Sequence, residues 1–276
     1  MKVAILYIAI GNYEIFWDEF YQSCENLFLQ NSEKQYFVFT DAQRLLKQKC
    51  DNVEFIYQEN MGWPRNTLYR FHMFMKLKSE LQKFDYLIFY NANALINTNI
   101  SEEEILPVNE DFCYARHFNF VGKDNCFFPY ERNRKSTAYV EYGRGEDYIQ
   151  ACFLCGKSKA MLTMFECLEK NINIDMQNNI IARWHDESHV NKYLIDKSNK
   201  ILGVEYICPK DDPYTNQYNA KVYMRIKTDY LPLDKMRMQK QNFITYISNK
   251  CVNQMWKIRD GFHYLIKKGN IWKSAR

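Results

Sequence analysis

With 276 residues, 47% of them hydrophobic and 25% charged, the chain can form one large folded domain, or one domain with an appendage. That composition excludes disorder as an account of most of its length. The formal charge of +4 is unevenly spread: residues 232–276 carry ten Lys/Arg against Asp234 and Asp260, a charge of +8, and the remainder carries −4. Such a tail implies an anionic surface, membrane or nucleic acid, as a partner.

The first residues are apolar only as far as Ile10, where Gly11, Asn12 and Glu14 follow. This is shorter than the roughly 20 apolar residues of a spanning helix, and it lacks the cleavage site of an export signal. Residues 2–8 therefore read as a buried strand. Over 14–30, Phe16, Phe20, Cys24, Leu27 and Phe28 share one helical face. Residues 35–39 and 53–57 are strand-like. Over 66–82, Leu68, Phe71, Met75, Leu77 and Leu81 predict a helix, and 85–95 predict a strand running into a polar tip. Ser101 followed by Glu104 matches a capping box. Alternating strands and helices imply an α/β sandwich with a mostly parallel sheet. Its ligands belong beyond the carboxyl ends of the strands, near Ile8 to Tyr13, Thr40-Asp41 and Asn91 to Asn93.

The tail predicts one more helix. Ile244, Ile247, Cys251, Met255, Ile258, Phe262 and Leu265 form one apolar stripe. Two readings stay open: a helix packed on the rest of the protein, or an interfacial helix on anionic lipid. No nucleic-acid-binding motif is present, so nucleic acid is set aside as a partner. The expected division is a catalytic domain over 1–231 and a basic amphipathic extension over 232–276. Nine dispersed cysteines point to reduced thiols in a cytoplasm, with a peripheral place on the inner face of the membrane if the tail binds lipid. Cys152 and Cys155 form a C-x-x-C with no second pair, and His185 and His189 lack an obvious third ligand. No metal site is expected from either.

Two stretches carry chemistry. Asn91-Ala92-Asn93 follows an apolar strand, where many nucleotide-sugar transferases place the carboxylates of Asp-x-Asp on a divalent cation. Amides hold such a cation poorly but still bond ribose or sugar hydroxyls; the plain alternative is a strand end capped by turn-forming Asn. Trp184-His185-Asp186-Glu187-Ser188-His189-Val190-Asn191-Lys192-Tyr193 is dense in aromatic and acidic groups. Trp184 suits stacking on a sugar face, and a carboxylate suits an oxocarbenium-like centre. The same stretch also reads as the start of an amphipathic helix.

This second stretch, with Phe128-Pro129-Tyr130-Glu131-Arg132, Ser136 to Val140 and Tyr36 to Asp41, resembles glycosyltransferase family 6, the family of the blood-group A and B transferases and the α-1,3-galactosyltransferases. The resemblance covers about residues 1–228 and is nearest to the bacterial branch, with Asn-Ala-Asn in place of Asp-x-Asp. It implies a GT-A type sandwich and retaining transfer of galactose, or N-acetylgalactosamine, from a UDP-sugar to a galactoside in α-1,3 linkage. No cofactor or divalent metal is implied, and the partners are the UDP-sugar and an oligosaccharide or lipid-linked acceptor. Residue by residue, it assigns the uracil and ribose to Ile8, Ile10 and Tyr13, a donor contact to Arg70, and the former metal positions to Asn91 and Asn93. Gln150, Ala151 and Cys152 fall where the donor sugar is selected, and His117 and Trp184 on the acceptor side. Asp186 falls on the donor sugar, Glu187 at the catalytic carboxylate, and Arg225 and Lys227 over the diphosphate. The rivals are a non-catalytic glycan-binding protein of the same fold and a metal-dependent transferase with other ligands.

Overall fold

The computed structural model describes residues 1–211, 218–236 and 243–274, with the side chains of 254–269 in the last run. Strand β1 (Lys2–Ala9) is the apolar run expected at the start, and it is buried on both faces. Its two-residue period divides the core. Val3, Ile5, Tyr7 and Ala9 face one layer, with Phe16, Phe20, Cys24 and Phe28. Ala4, Leu6 and Ile10 face the other, with Phe71, Phe74, Phe165 and Leu168.

The first helical stretch is a short 3-10 turn at Gly11–Phe16, followed by α1 (Trp17–Leu27). Phe28 turns extended, and the Lys34 ammonium donates to the carbonyls of Cys24 (2.9 Å) and Phe28 (2.8 Å), satisfying groups that a helix end leaves unpaired. Strand β2 (Glu33–Thr40), helix α2 (Gln43–Leu46) and strand β3 (Val53–Tyr57) follow. The helix expected over 66–82 is three short pieces instead: α3 (Arg65–Leu68), α4 (Arg70–Met75) and α5 (Lys78–Leu81). Arg70, Phe71, Met73 and Phe74 are all buried, a pattern too wide for one stripe on a straight helix. The chain bends at Tyr69 and Leu77 to bury them.

Strand β4 (Tyr86–Tyr90) ends at the polar tip, and β5 (Ala94–Ile96) leaves it in a new direction. The capping box of Ser101 and Glu104 starts α6 (Glu102–Ile105). Then come β6 (Phe112–Ala115), β7 (Phe153–Lys157), α7 (Ser158–Gln177), α8 (Asp186–Leu194), β8 (Asn199–Leu202), β9 (Cys208–Pro209) and β10 (Val222–Met224). The main sheet has the order β3-β2-β1-β4-β7-β6-β8. It is parallel except at β7, which runs antiparallel to both neighbours. A smaller sheet, β5-β10-β9, stands at the tip of β4. Helices α9 (Leu233–Met236) and α10 (Phe243–Ser274) complete the described chain.

Arg225, expected over a diphosphate, is instead a clasp between the small sheet and the main one. Its buried guanidinium donates to the carbonyls of Asn93, Ala94 and Phe16 and pairs with Glu19. Asn93, expected at the donor, answers it: its side-chain amide donates to the Arg225 carbonyl at 2.7 Å, and its carbonyl accepts from the Arg225 N–H at 2.8 Å. The Arg225 guanidinium and the Asn93 Nδ2 thus serve buried backbone carbonyls.

Arg225→Ala removes the guanidinium donors of the Phe16 and Ala94 carbonyls and leaves the Asn93 carbonyl its backbone donor alone. We expect a loss of about 3 kcal/mol in unfolding free energy, read from urea midpoints; a loss under about 0.5 kcal/mol contradicts the clasp.

Candidate active site

The carboxyl ends of β1 and β4 open into a cavity lined by Ile8, Ile10, Tyr13, Asn60, Trp63, Asn66, Thr67, Arg70, Phe89, Asn91, Ala92, Lys227 and Met236. A second cavity adjoins it, sharing Tyr13, Trp63, Thr67, Arg70, Asn91 and Lys227, and adds Gln150, Ala151, Cys152, Trp184, Asp186 and Glu187. The first has apolar walls and aromatic rings. The second has carboxylates and an amide. Together they form one crevice with two chemically distinct halves.

Arg70 joins the halves. Only 4% exposed, it lies 4.5 Å from the Phe89 ring centroid, donates to the Ala151 carbonyl at 2.7 Å, and pairs with Asp186 at 2.7 Å. A buried cation is tolerated only with such partners. Asp186 is equally buried. Burial lifts its carboxyl to about 6, and Arg70 opposes the rise. The two residues expected on the donor thus hold each other, at the crevice wall.

Glu187 is the next residue of α8. Its Oε1 accepts from the Tyr148 hydroxyl at 2.7 Å and its Oε2 from the Ala151 N–H at 3.0 Å. Burial raises its carboxyl to about 7, against those two hydrogen bonds and with the Asp186 charge adding to the rise. One turn on, Asn191 stitches the same segment to α8: it accepts from the Ile149 N–H and donates to the Ile149 and Glu187 carbonyls, all at 3.0 to 3.1 Å. The backbone before α8 is strained, with His185 at φ 55°, a left-handed value that side chains other than glycine's adopt at a cost of about 1–3 kcal/mol. That sharp entry puts Asp186 and Glu187 side by side on the crevice. Tyr148 and Asn191 escaped the sequence reading. Asn191 was legible as the residue one helical turn from Glu187; Tyr148 carries no local signal.

The remaining expected residues divide. Ile8, Ile10 and Tyr13 line the first cavity, with the Lys227 ammonium 5.2 Å from the Tyr13 ring centroid. Asn91 lines both, its N–H donating to the Cys152 carbonyl at 2.8 Å. Trp184 lines the second and is 40% exposed. Gln150 Oε1 is buried with no hydrogen-bond partner among the described residues, so a hydroxyl donor entering the cavity would satisfy it. His117 lines neither cavity. It is stacked on Phe118, its Nδ1 accepts from the Asn119 N–H, and burial lowers its pKa to about 4. Its link to the site is the Tyr148 ring, 5.9 Å away between centroids. Among the described residues, no three His, Cys, Asp or Glu side chains are placed to hold a metal ion.

The family model of glycosyltransferase family 6 matches residues 1–230. The chain is 35% identical over 227 residues to the O-antigen biosynthesis glycosyltransferase WbnI of Escherichia coli, covering 82% of this chain and 95% of that one. It is 25% identical to globoside alpha-1,3-N-acetylgalactosaminyltransferase 1 of Homo sapiens and 26% identical to histo-blood group ABO system transferase 1 of Rattus norvegicus. These matches cover 75% and 74% of this chain, but only 61% and 60% of the animal proteins.

The raised Glu187 pKa has a sign that stability can report. The folded protein holds this proton up to about pH 7, the unfolded chain only to about 4.5. Stability therefore falls as pH rises through that window and the loss is complete above it. Glu187→Gln keeps an acceptor and removes the charge. Relative to the parent protein, it should gain on the order of 2 kcal/mol between pH 5 and pH 8. Urea unfolding of both proteins at the two pH values checks this; a pH-independent difference contradicts the buried carboxylate.

Proposed function

This chain belongs to glycosyltransferase family 6, and on that premise we propose that it moves galactose from UDP-galactose to a galactoside acceptor, with retention, in α-1,3 linkage and without a divalent metal. One observation carries the reading: a cavity-wall carboxylate, Glu187, is held by two hydrogen bonds in the polar half of a crevice whose other half is apolar and aromatic.

Ile8, Ile10 and Tyr13 suit the uracil and ribose. The diphosphate then falls near Asn91, Lys227 and Arg70, three of the six residues shared by both halves. Amides at 91 and 93 bring no negative charge that a dication would need to offset, and Lys227 and Arg70 supply preorganised positive charge for the departing UDP. The sugar lies against Gln150, Cys152 and Glu187, with Gln150 Oε1 accepting from a sugar hydroxyl. As the bond between the anomeric carbon and the UDP oxygen breaks, its electron pair leaves with UDP. Positive charge grows on the anomeric carbon, beside the Glu187 carboxylate. The acceptor hydroxyl then attacks, its proton passing to a UDP phosphate oxygen. Trp184 offers the acceptor sugar a flat apolar face. The Cys152 side chain takes space that an N-acetyl group would need, which favours galactose over N-acetylgalactosamine. The name of the human relative, globoside alpha-1,3-N-acetylgalactosaminyltransferase 1, supports the α-1,3 linkage.

The reading is tested by UDP release from UDP-galactose with a galactoside acceptor in excess EDTA. We expect the full rate in EDTA, a slower rate with UDP-N-acetylgalactosamine, and a 10²- to 10³-fold fall in kcat for Glu187→Gln, with UDP affinity by calorimetry little changed. Activity lost to EDTA and restored by Mn²⁺ would overturn the metal-free part, and near-normal turnover of the variant would overturn Glu187's role.

A further inference from the structure

Helix α10 is docked the wrong way round for a protein surrounded by water. Its polar and aromatic side faces the protein. Asp260, 4% exposed, accepts from the Tyr142 hydroxyl at 2.8 Å and pairs with Arg183 at 3.5 Å. The Trp256 ring lies under the Arg183 guanidinium at 4.2 Å, His263 stacks on Tyr142 at 3.7 Å, and Tyr264 meets Phe127 at 4.8 Å. Lys267 reaches Asp124 at 2.8 Å. The apolar stripe expected from the sequence is turned outward: Met255, Ile258, Phe262 and Leu265 are 63% to 73% exposed, and Ile266 lies with them. Ile244, Ile247 and Cys251, the start of that stripe, lie outside the described side chains.

A helix that buries its charge and shows its hydrocarbon needs an apolar neighbour. Among the described residues no helix is long and apolar enough to cross a membrane, so the geometry is that of a helix lying in an interface. Its charge agrees. With a step of about 100° per residue, Arg259 falls on one border of the stripe, its guanidinium turned back to Asp260 at 3.3 Å, and the exposed Lys257 and Lys268 fall together along the other. These are the positions from which long basic side chains reach lipid headgroups while the stripe sits at the acyl boundary. A second copy of this chain is the poorer occupant, because a symmetric pairing through the stripe would bring the same lysines together.

We propose that the exposed face of this helix is a docking surface for an anionic phospholipid bilayer. The docking also sets an orientation. Arg183, which holds Asp260, immediately precedes Trp184 at the mouth of the second cavity, and its N–H donates to Glu131 at 2.6 Å. The buried Asp260–Arg183 contact thereby ties the lipid-facing helix to the cavity mouth. The surface itself does not depend on the transfer chemistry proposed above.

The test is sedimentation of the full-length protein with vesicles of phosphatidylglycerol and phosphatidylcholine, or of phosphatidylcholine alone. Binding should be at least tenfold tighter to the anionic vesicles and should weaken as salt rises. The double variant Phe262→Glu/Leu265→Glu, altered at exposed positions only, should lose vesicle binding and keep the parent protein's thermal midpoint and UDP affinity. Lys257→Glu/Lys268→Glu, which leaves the stripe intact, should lose most of the preference for anionic lipid. Equal binding to both vesicle types, or binding untouched by both variants, overturns the proposal. So does a lipid-independent dimer in sedimentation equilibrium that the Phe262/Leu265 variant dissociates.

Discussion

The buried guanidinium of Arg70 is the constraint on which the site depends. A cation withdrawn from water must find its partners inside, and Arg70 finds them on three separate parts of the fold: the Phe89 ring at the end of β4, the Ala151 carbonyl before β7, and Asp186 at the start of α8. Satisfying one side chain brings these elements to a common point. Ala151 then has its N–H directed at Glu187 and its carbonyl at Arg70. The catalytic candidate is therefore positioned by its neighbours' needs as much as by its own hydrogen bonds. The bend at Tyr69, which interrupts the helix expected over 66–82, is where the chain turns Arg70 inward.

The same rule, that buried charge finds buried partners, governs two other parts of the molecule. Arg225 clasps the small sheet to the tip of β4 through three carbonyls and Glu19. Asp260 anchors the C-terminal helix through Tyr142 and Arg183. In each case one charged side chain substitutes for an apolar contact between elements far apart in sequence. For α10 the consequence is an inverted helix, polar toward the protein and apolar away from it.

Much of this was legible in the sequence, and the parts that were not share a cause. Strand β1 and residues 36–39 of β2 are continuous apolar runs, as buried parallel strands require, whereas β3, at the sheet edge, is interrupted by Glu54. The capping box at Ser101 is local and was read correctly. The block from Trp184 to Tyr193 marked the crevice wall, and the polar tip at 91–93 marked the turn out of β4. Arg225 and Asn93 were placed at the donor by the family resemblance, and neither lines the crevice. What joins them is contact across 132 residues of chain, which no local pattern encodes. His117, half-buried, packs against Phe118, Phe120 and Tyr148 beside the crevice. The apolar stripe of the tail was visible, but the direction it faces depends on Asp260, a single charge on the opposite side of the helix.

The central claim is that Glu187 stands beside the anomeric carbon of the donor sugar and that the reaction keeps its configuration. Proton NMR of the purified product, with UDP-galactose and a galactoside acceptor, reads the anomeric coupling of the new linkage, a glycoside whose configuration is fixed once formed. A small coupling, from an equatorial H1 beside an axial H2 as in an α-galactoside, is the predicted result. A β-linked product would show direct displacement by the acceptor and would contradict the role assigned to Glu187.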